Sequence, residues 1–221
     1  MKIAVITGGH IEYEFVGKEL ETGRYDAIIA CDSGCRFFLD TGRVFDYAVG
    51  DFDSIDKESY DKLLSRYGDK VTKYPSEKDY TDTEIAIRLA MDLIDKDKNA
   101  IREASVIDIY GATGTRLDHV LGNIELLYEP TMKGIEIAIK DSHNRIELVK
   151  ERIVLTKSMV YPYFSIIPFG AEAIVSETGT KYELSEKKIT RGITLGISNE
   201  IAADTAIITT SAPLILILAR D

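Results

Sequence analysis

The chain has 221 residues, 45% of them hydrophobic and 29% charged, an ordinary globular balance that excludes intrinsic disorder, collagen and a coiled coil. One medium domain and one small domain account for that length better than two full-sized ones. A net charge of −10 repels a phosphodiester backbone and removes the counterion-release contribution to nucleic-acid binding, leaving a cationic or metal-bound partner as the better match.

No run approaches the roughly 18 consecutive apolar residues of a membrane span, and the apolar start of the chain is too short for a signal peptide. A cytoplasmic protein with no membrane or nucleic-acid partner is expected. Cys31 and Cys35, together with His10, His119 and His143, match no four-ligand zinc spacing and read as buried thiols.

In chain order, short apolar runs at 2–7, 27–31, 47–49, 71–74, 104–110 and 135–140 read as strands alternating with segments of helical period. That alternation predicts an α/β, Rossmann-like layered domain with a mostly parallel sheet over residues 1–142. Thr81 and Glu84 form a capping-box pattern, followed by the apolar stripe Ile85, Ala86, Leu89, Ala90 and Leu93. Leu117, Val120, Leu121, Ile124 and Leu127 repeat the stripe. Beyond residue 143 the period changes to short runs at 145–149, 153–156, 163–168, 173–175, 181–184, 206–210 and 214–218, separated by Gly, Asn or Pro. Residues 143–221 are therefore expected to form a small all-β sandwich or jelly roll.

Chemistry concentrates in the first part, where 16 of the 19 aspartates lie within residues 1–118. Asp51 and Asp53, directly after a strand, would project to the same side of an extended segment and could hold one hard cation, although the same residues also describe a turn. Asp79 and Asp82 flank a helix start, where acids gain from the helix dipole whether or not they have a function. Lys78 beside them makes a mixed site for a metal and phosphate oxygens. Gly111, Thr113, Gly114 and Arg116 lie between a strand and a helix, an arrangement that suits an anion, with Asp118 and His119 adjoining. It is neither a Walker A loop nor Gly-x-Gly-x-x-Gly. Because every cluster follows a predicted strand, one crevice at the carboxyl ends of a parallel sheet could collect them around a magnesium-bound nucleotide.

Taken in order, Asp32-Ser33-Gly34, Gly50-Asp51-Phe52-Asp53-Ser54, the segment 78–84, the segment 111–119 and Ser198-Asn199-Glu200 resemble the motifs of the thiamin pyrophosphokinase family. The resemblance implies a homodimer that transfers pyrophosphate from ATP to thiamin with Mg²⁺ and releases AMP. It implies an N-terminal catalytic domain and a C-terminal thiamin-binding domain. Asp51, Asp53, Asp79 and Asp82 are then the metal and catalytic acids, with Arg116 and Asp118 near the reacting phosphates. Asp32, Gly34, Lys78, Thr81, Gly111, Thr113 and Gly114 line the nucleotide, and Ser198 and Asn199 contact thiamin across the dimer interface. Asp82 and Asp118 are the candidates for accepting the hydroxyl proton. Arg36 and Thr115 depart from the family's common Asn and Gly, and Tyr163, Phe164 and Tyr182 are the candidates to stack on substrate in a chain without Trp. Two rivals remain at this stage: a pyrophosphokinase for another alcohol such as a hydroxymethyl-pterin, and a nucleotide- or thiamin-binding regulatory module without turnover.

Overall fold

The computed structural model describes residues 1–221, which divide into two compact units, Met1–Ser142 and His143–Asp221. The first unit runs β1 (Lys2–Ile6), α1 (Tyr13–Thr22), β2 (Ala27–Cys31), α2 (Cys35–Thr41), β3 (Tyr47–Gly50), α3 (Lys57–Tyr67), β4 (Val71–Lys73), α4 (Asp82–Lys96), β5 (Val106–Tyr110), α5 (Leu117–Glu125), α6 (Tyr128–Met132) and β6 (Glu136–Lys140). Its strands pair in parallel in the order β6-β5-β1-β2-β3-β4. Alternate residues of the central strands face opposite sides, and both sides are covered, so these strands read as apolar runs. Ala4, Ile6, Ala30 and Ala48 meet Phe37, Phe38, Phe45, Leu63 and Tyr67 in one core. The intervening Ile3, Val5 and Ile29 are equally buried and leave the other face to α4, which packs on β1, β2 and β3.

The expected cap of α4 is present: the Thr81 hydroxyl accepts from the Glu84 N–H at 3.2 Å. The reciprocal half of a capping box is missing, because the Glu84 carboxylate takes two hydrogen bonds from Arg88, at 3.1 and 2.9 Å. The second expected stripe differs more. On α5, Leu117 and Leu121 are 70% and 64% exposed, and the side chain that turns inward is Asn123. Both cysteines are free and buried, and no helix is long and apolar enough to cross a membrane.

The second unit contains β7 (Asn144–Val149), β8 (Arg152–Thr156), β9 (Tyr163–Pro168), β10 (Glu172–Thr178), β11 (Leu184–Thr190), β12 (Asn199–Glu200), β13 (Thr205–Thr210) and β14 (Leu214–Ala219). Antiparallel β12-β9-β14-β7 faces antiparallel β11-β10-β13-β8 across a shared core of Val149, Phe164, Ile166, Val175, Ile189, Ile208 and Leu216. This is a β-sandwich. The run at 181–184 is a turn leading into β11, whose sequence Leu-Ser-Glu-Lys-Lys-Ile-Thr conceals a strand because it lies at a sheet edge and buries only Ile189. Charged side chains on such an edge discourage pairing with a further chain.

Candidate active site

In the strand order of the first unit β1 lies between β2 and β5, where the direction of connection reverses, the place at which parallel α/β sheets form a ligand crevice. A cavity of about 690 Å³ lies there, with walls from Thr7, Gly9, His10, Asp32, Asp51, Lys78, Thr81, Asp82, Gly111, Thr113, Gly114, Arg116 and Asn123 among others. The loops after β1 and β5 are stitched together by main chain: Gly9 N–H donates to Gly111 C=O and His10 N–H to Thr113 C=O, both at 2.8 Å. Gly111 adopts φ +71°, and a Cβ there would lie 2.5 Å from the Thr7 carbonyl oxygen. Only glycine fits such a position. The Gly8-Gly9-His10 segment escaped the sequence reading. Its signal was a glycine pair immediately after the first strand, which gains meaning only once β1 is known to be central.

The acids converge differently from the extended alternation expected of them. Phe52 between Asp51 and Asp53 has φ +59°, and Asp32 has φ +47°. A left-handed turn therefore folds Asp53 back, so that its N–H donates to Asp51 Oδ1 at 3.2 Å. Non-glycine residues held in this region carry local strain that surrounding structure must offset. One carboxylate oxygen each from Asp32, Asp51 and Asp53 lies within 4.8 Å of the others. Asp32 Oδ1 is buried without a hydrogen-bond partner. Burial pushes the Asp32 carboxyl up, hydrogen bonds from Ser33 and Ser54 work against this, and Asp82 and Asp51 add to the rise. Three hard oxygen donors with one orphaned oxygen fit a divalent cation such as Mg²⁺.

Lys78 joins the second acidic motif to the first. Its Nζ lies 2.9 Å from Asp51 Oδ2 and 3.1 Å from Asp82 Oδ1. Burial alone would raise the Asp51 carboxyl, but hydrogen bonds from Lys78 and the Asp53 N–H hold it below the usual carboxylate range. Burial likewise opposes the Lys78 ammonium, and its bonds to Asp51 and Asp82 reverse that and raise its pKa. Arg36, at the departure from the family pattern, donates to the Ser54 carbonyl at 3.1 Å and to Asp56 Oδ2 at 3.3 Å, bracing the loop that carries the acids.

Other expected site residues lie elsewhere. Asp79 is exposed and off the cavity wall. Asp118 is also exposed and off the wall, paired with Arg116 at 2.5 Å. That hydrogen bond from Arg116 pushes its carboxyl down to about 2, which makes Asp118 a poor proton acceptor at neutral pH. Gly34 packs against the Ile6 carbonyl, and does not line the cavity. In the second unit Ser198 is exposed with φ +56°. Asn199 is only 3% exposed, and its amide is engaged internally: Oδ1 accepts from the Tyr182 and Glu200 N–H groups, while Nδ2 donates to Glu177 and to the Tyr182 carbonyl. Phe164 is buried in the sandwich core and is not available to stack on a ligand, Tyr163 is half-buried, and Tyr182 is exposed.

Comparison with known proteins adds an independent line. The model of the thiamin pyrophosphokinase catalytic domain matches residues 20–139, and that of the thiamin pyrophosphokinase vitamin B1 binding domain matches residues 150–215. A thiamine pyrophosphokinase of Bacillus subtilis (strain 168) is 34% identical over 182 residues, covering 81% of this chain and 80% of that protein. Among solved structures, thiamine pyrophosphokinase from Bacillus subtilis superposes with a TM-score of 0.85 at 30% identity, over 100% of both chains. The thiamin pyrophosphokinase from Geobacillus thermodenitrificans gives 0.81 at 30% identity, over 100% of this chain and 98% of that one. Two domain models matched in order, and a relative that shares its sequence across most of both chains, make this chain a member of the thiamin pyrophosphokinase family.

Proposed function

We propose that the chain transfers pyrophosphate from ATP to the hydroxyl of thiamin, giving thiamin diphosphate and AMP. The observation that carries this reading is the convergence of Asp32, Asp51, Lys78 and the two backbone loops on one cavity, with Asp53 joining Asp32 and Asp51 in a carboxylate triad, in a chain matched by both family domains. Asp32, Asp51 and Asp53 would hold Mg²⁺, which when bound supplies charge neutralisation to the triphosphate. Asp82 belongs with Lys78, and Asp79 has no part in this set.

The protein's own contribution is positioning and electrostatics. Main-chain N–H groups at the start of α5 offer an anion site for the phosphates, on a β5 loop held in place by the Gly9 and His10 N–H groups. Lys78 and Arg116 offset charge on the bridging oxygens. The thiamin oxygen forms a bond to the β-phosphorus as the bond from that phosphorus to the α,β-bridging oxygen breaks, so AMP leaves with that oxygen. Asp82, on the cavity wall and paired with Lys78, is the better placed of the two candidate acids to take the hydroxyl proton.

Stoichiometric AMP release from ATP is expected with thiamin and Mg²⁺, none with a hydroxymethyl-pterin, and loss of turnover in EDTA, all read by chromatography of the nucleotides. Turnover with the pterin alone would assign a different acceptor, and no turnover with either would favour a binding module. The reading also includes a cytoplasmic homodimer. The exposed Leu117 and Leu121 on α5 of the first unit, and the exposed Ile193, Leu195 and Ile197 before Ser198 in the second, support the dimer, because neighbouring exposed apolar side chains mark contact surfaces. Light scattering should give twice the 24.6 kDa chain mass, and a stable monomer would remove the dimer from the proposal.

A further inference from the structure

Beneath the Ser198 turn lies a buried acid that the transfer reaction does not use. Glu177, on β10, is 0% exposed. Its Oε2 accepts from Asn199 Nδ2 at 2.6 Å, and its Oε1 has no hydrogen-bond partner. The Thr180 hydroxyl nearby in sequence is likewise buried and unpartnered. A carboxyl is among the costliest groups to bury in this state. Through Asn199 it reaches both sides of a seam, because the same amide bonds Tyr182 and Glu200 main chain while Thr180 pairs with Ile201 and Lys181 N–H donates to the Glu200 carbonyl at 2.9 Å.

We propose that Glu177 is a positioning residue for thiamin recognition, holding the Asn199 amide that fixes the neighbouring Ser198 in its left-handed conformation. This deepens the proposed transfer to thiamin and rests on the expectation, carried by the motif resemblance, that Ser198 contacts thiamin. The position is sensitive to protonation as well as shape. Burial raises the Glu177 carboxyl from an ordinary 4.5 to about 7, against the hydrogen bond from Asn199. Its cross-strand neighbours, Leu184 on β11 and Ile208 on β13, are apolar. The charged groups of the adjoining turn engage elsewhere: Glu183 accepts from Gly179 N–H, and Lys181 pairs with Glu200 at 2.6 Å. No cation therefore meets the Glu177 charge when it forms, and ionisation strains the seam that holds Ser198.

The test compares the full-length parent, Glu177→Gln and Ser198→Ala in steady-state turnover at saturating ATP and Mg²⁺, with thiamin varied between pH 6 and pH 8.5. In the parent, the KM for thiamin should rise about threefold or more across this range relative to Glu177→Gln. The kcat values of the two proteins should keep a constant ratio, since Glu177 touches neither reacting group. A KM that follows the same pH course in both proteins overturns the proposal, as does a difference confined to kcat. Ser198→Ala separates the underlying reading: it should raise the KM at every pH, and if it does not, the thiamin contact itself is wrong and the proposal falls with it.

A stability measurement supplies a second readout. Between pH 4.5 and 7 the folded chain retains a proton that the unfolded chain has released, so Glu177 lowers stability progressively as pH rises through this window. Glu177→Gln should therefore melt higher than the parent at pH 8 and lose that advantage at pH 5. Equal melting temperatures at both values would show that Glu177 ionises as in water and would end the argument.

Discussion

Asp51→Asn is expected to lower turnover by about a thousandfold or more, roughly 4 kcal/mol of transition-state stabilisation, with the fold intact. Asp51 is the residue shared by both electrostatic groups of the cavity. It sits in the carboxylate triad with Asp32 and Asp53, and it accepts from Lys78, which also pairs with Asp82. The substitution keeps the shape and the capacity to accept from the Asp53 N–H but removes the charge that pairs with Lys78 and that a bound Mg²⁺ would share. Rapid-quench measurement of AMP formation would read the chemical step, and circular dichroism would report the fold. Turnover within tenfold of the parent would take Asp51 out of the reaction and, with it, the whole metal assignment.

Gly9→Ala is expected to be nearly as damaging for a different reason. A Cβ at Gly9 would lie 2.3 Å from the Gly111 carbonyl oxygen and 2.4 Å from that of Thr113, two rigid main-chain atoms. Neither loop can yield without breaking the hydrogen bonds that stitch them, Gly9 N–H to Gly111 and His10 N–H to Thr113. The expected result is a rise in the Kd for ATP of about a hundredfold and a loss of about 2–4 kcal/mol in stability. Calorimetric titration with ATP and a thermal melt would measure the two effects. Gly122→Ala, where a Cβ meets nothing within 4 Å, serves as the control and should behave as the parent. Unchanged ATP binding in Gly9→Ala would contradict the placement of the phosphates between these loops.

Several residues of the cavity wall are legible in the sequence. Lys78, Thr81, Asp82, Gly111, Thr113, Gly114 and Arg116 reach the cavity as their places after strands or at helix starts suggested. They were legible because a loop between a buried strand and a helix is defined by local pattern. Asp53 also came from a short motif and does join Asp51, although by a left-handed turn at Phe52 and not by extended alternation. Asn199 belonged to an equally clear motif but turned inward, because its amide satisfies the backbone of a turn seventeen residues earlier in the chain. A motif match carries no information about which way such a side chain faces.

Local composition was enough to determine the two-part α/β and all-β organisation and nearly every strand, since buried parallel strands are short apolar runs and sandwich strands alternate. It could not determine that β1 lies between β2 and β5, which is what turns Gly8-Gly9-His10 into a wall of the cavity and places Asp32 beside Asp51 and Asp53. Nor could it show that Glu177 is buried, or that the exposed edge strand β11 exists at all. The physical reason is common to these cases: periodicity reports what a segment does with its own neighbours, whereas strand order, left-handed turns and the burial of a single charge depend on contacts between segments far apart in the chain.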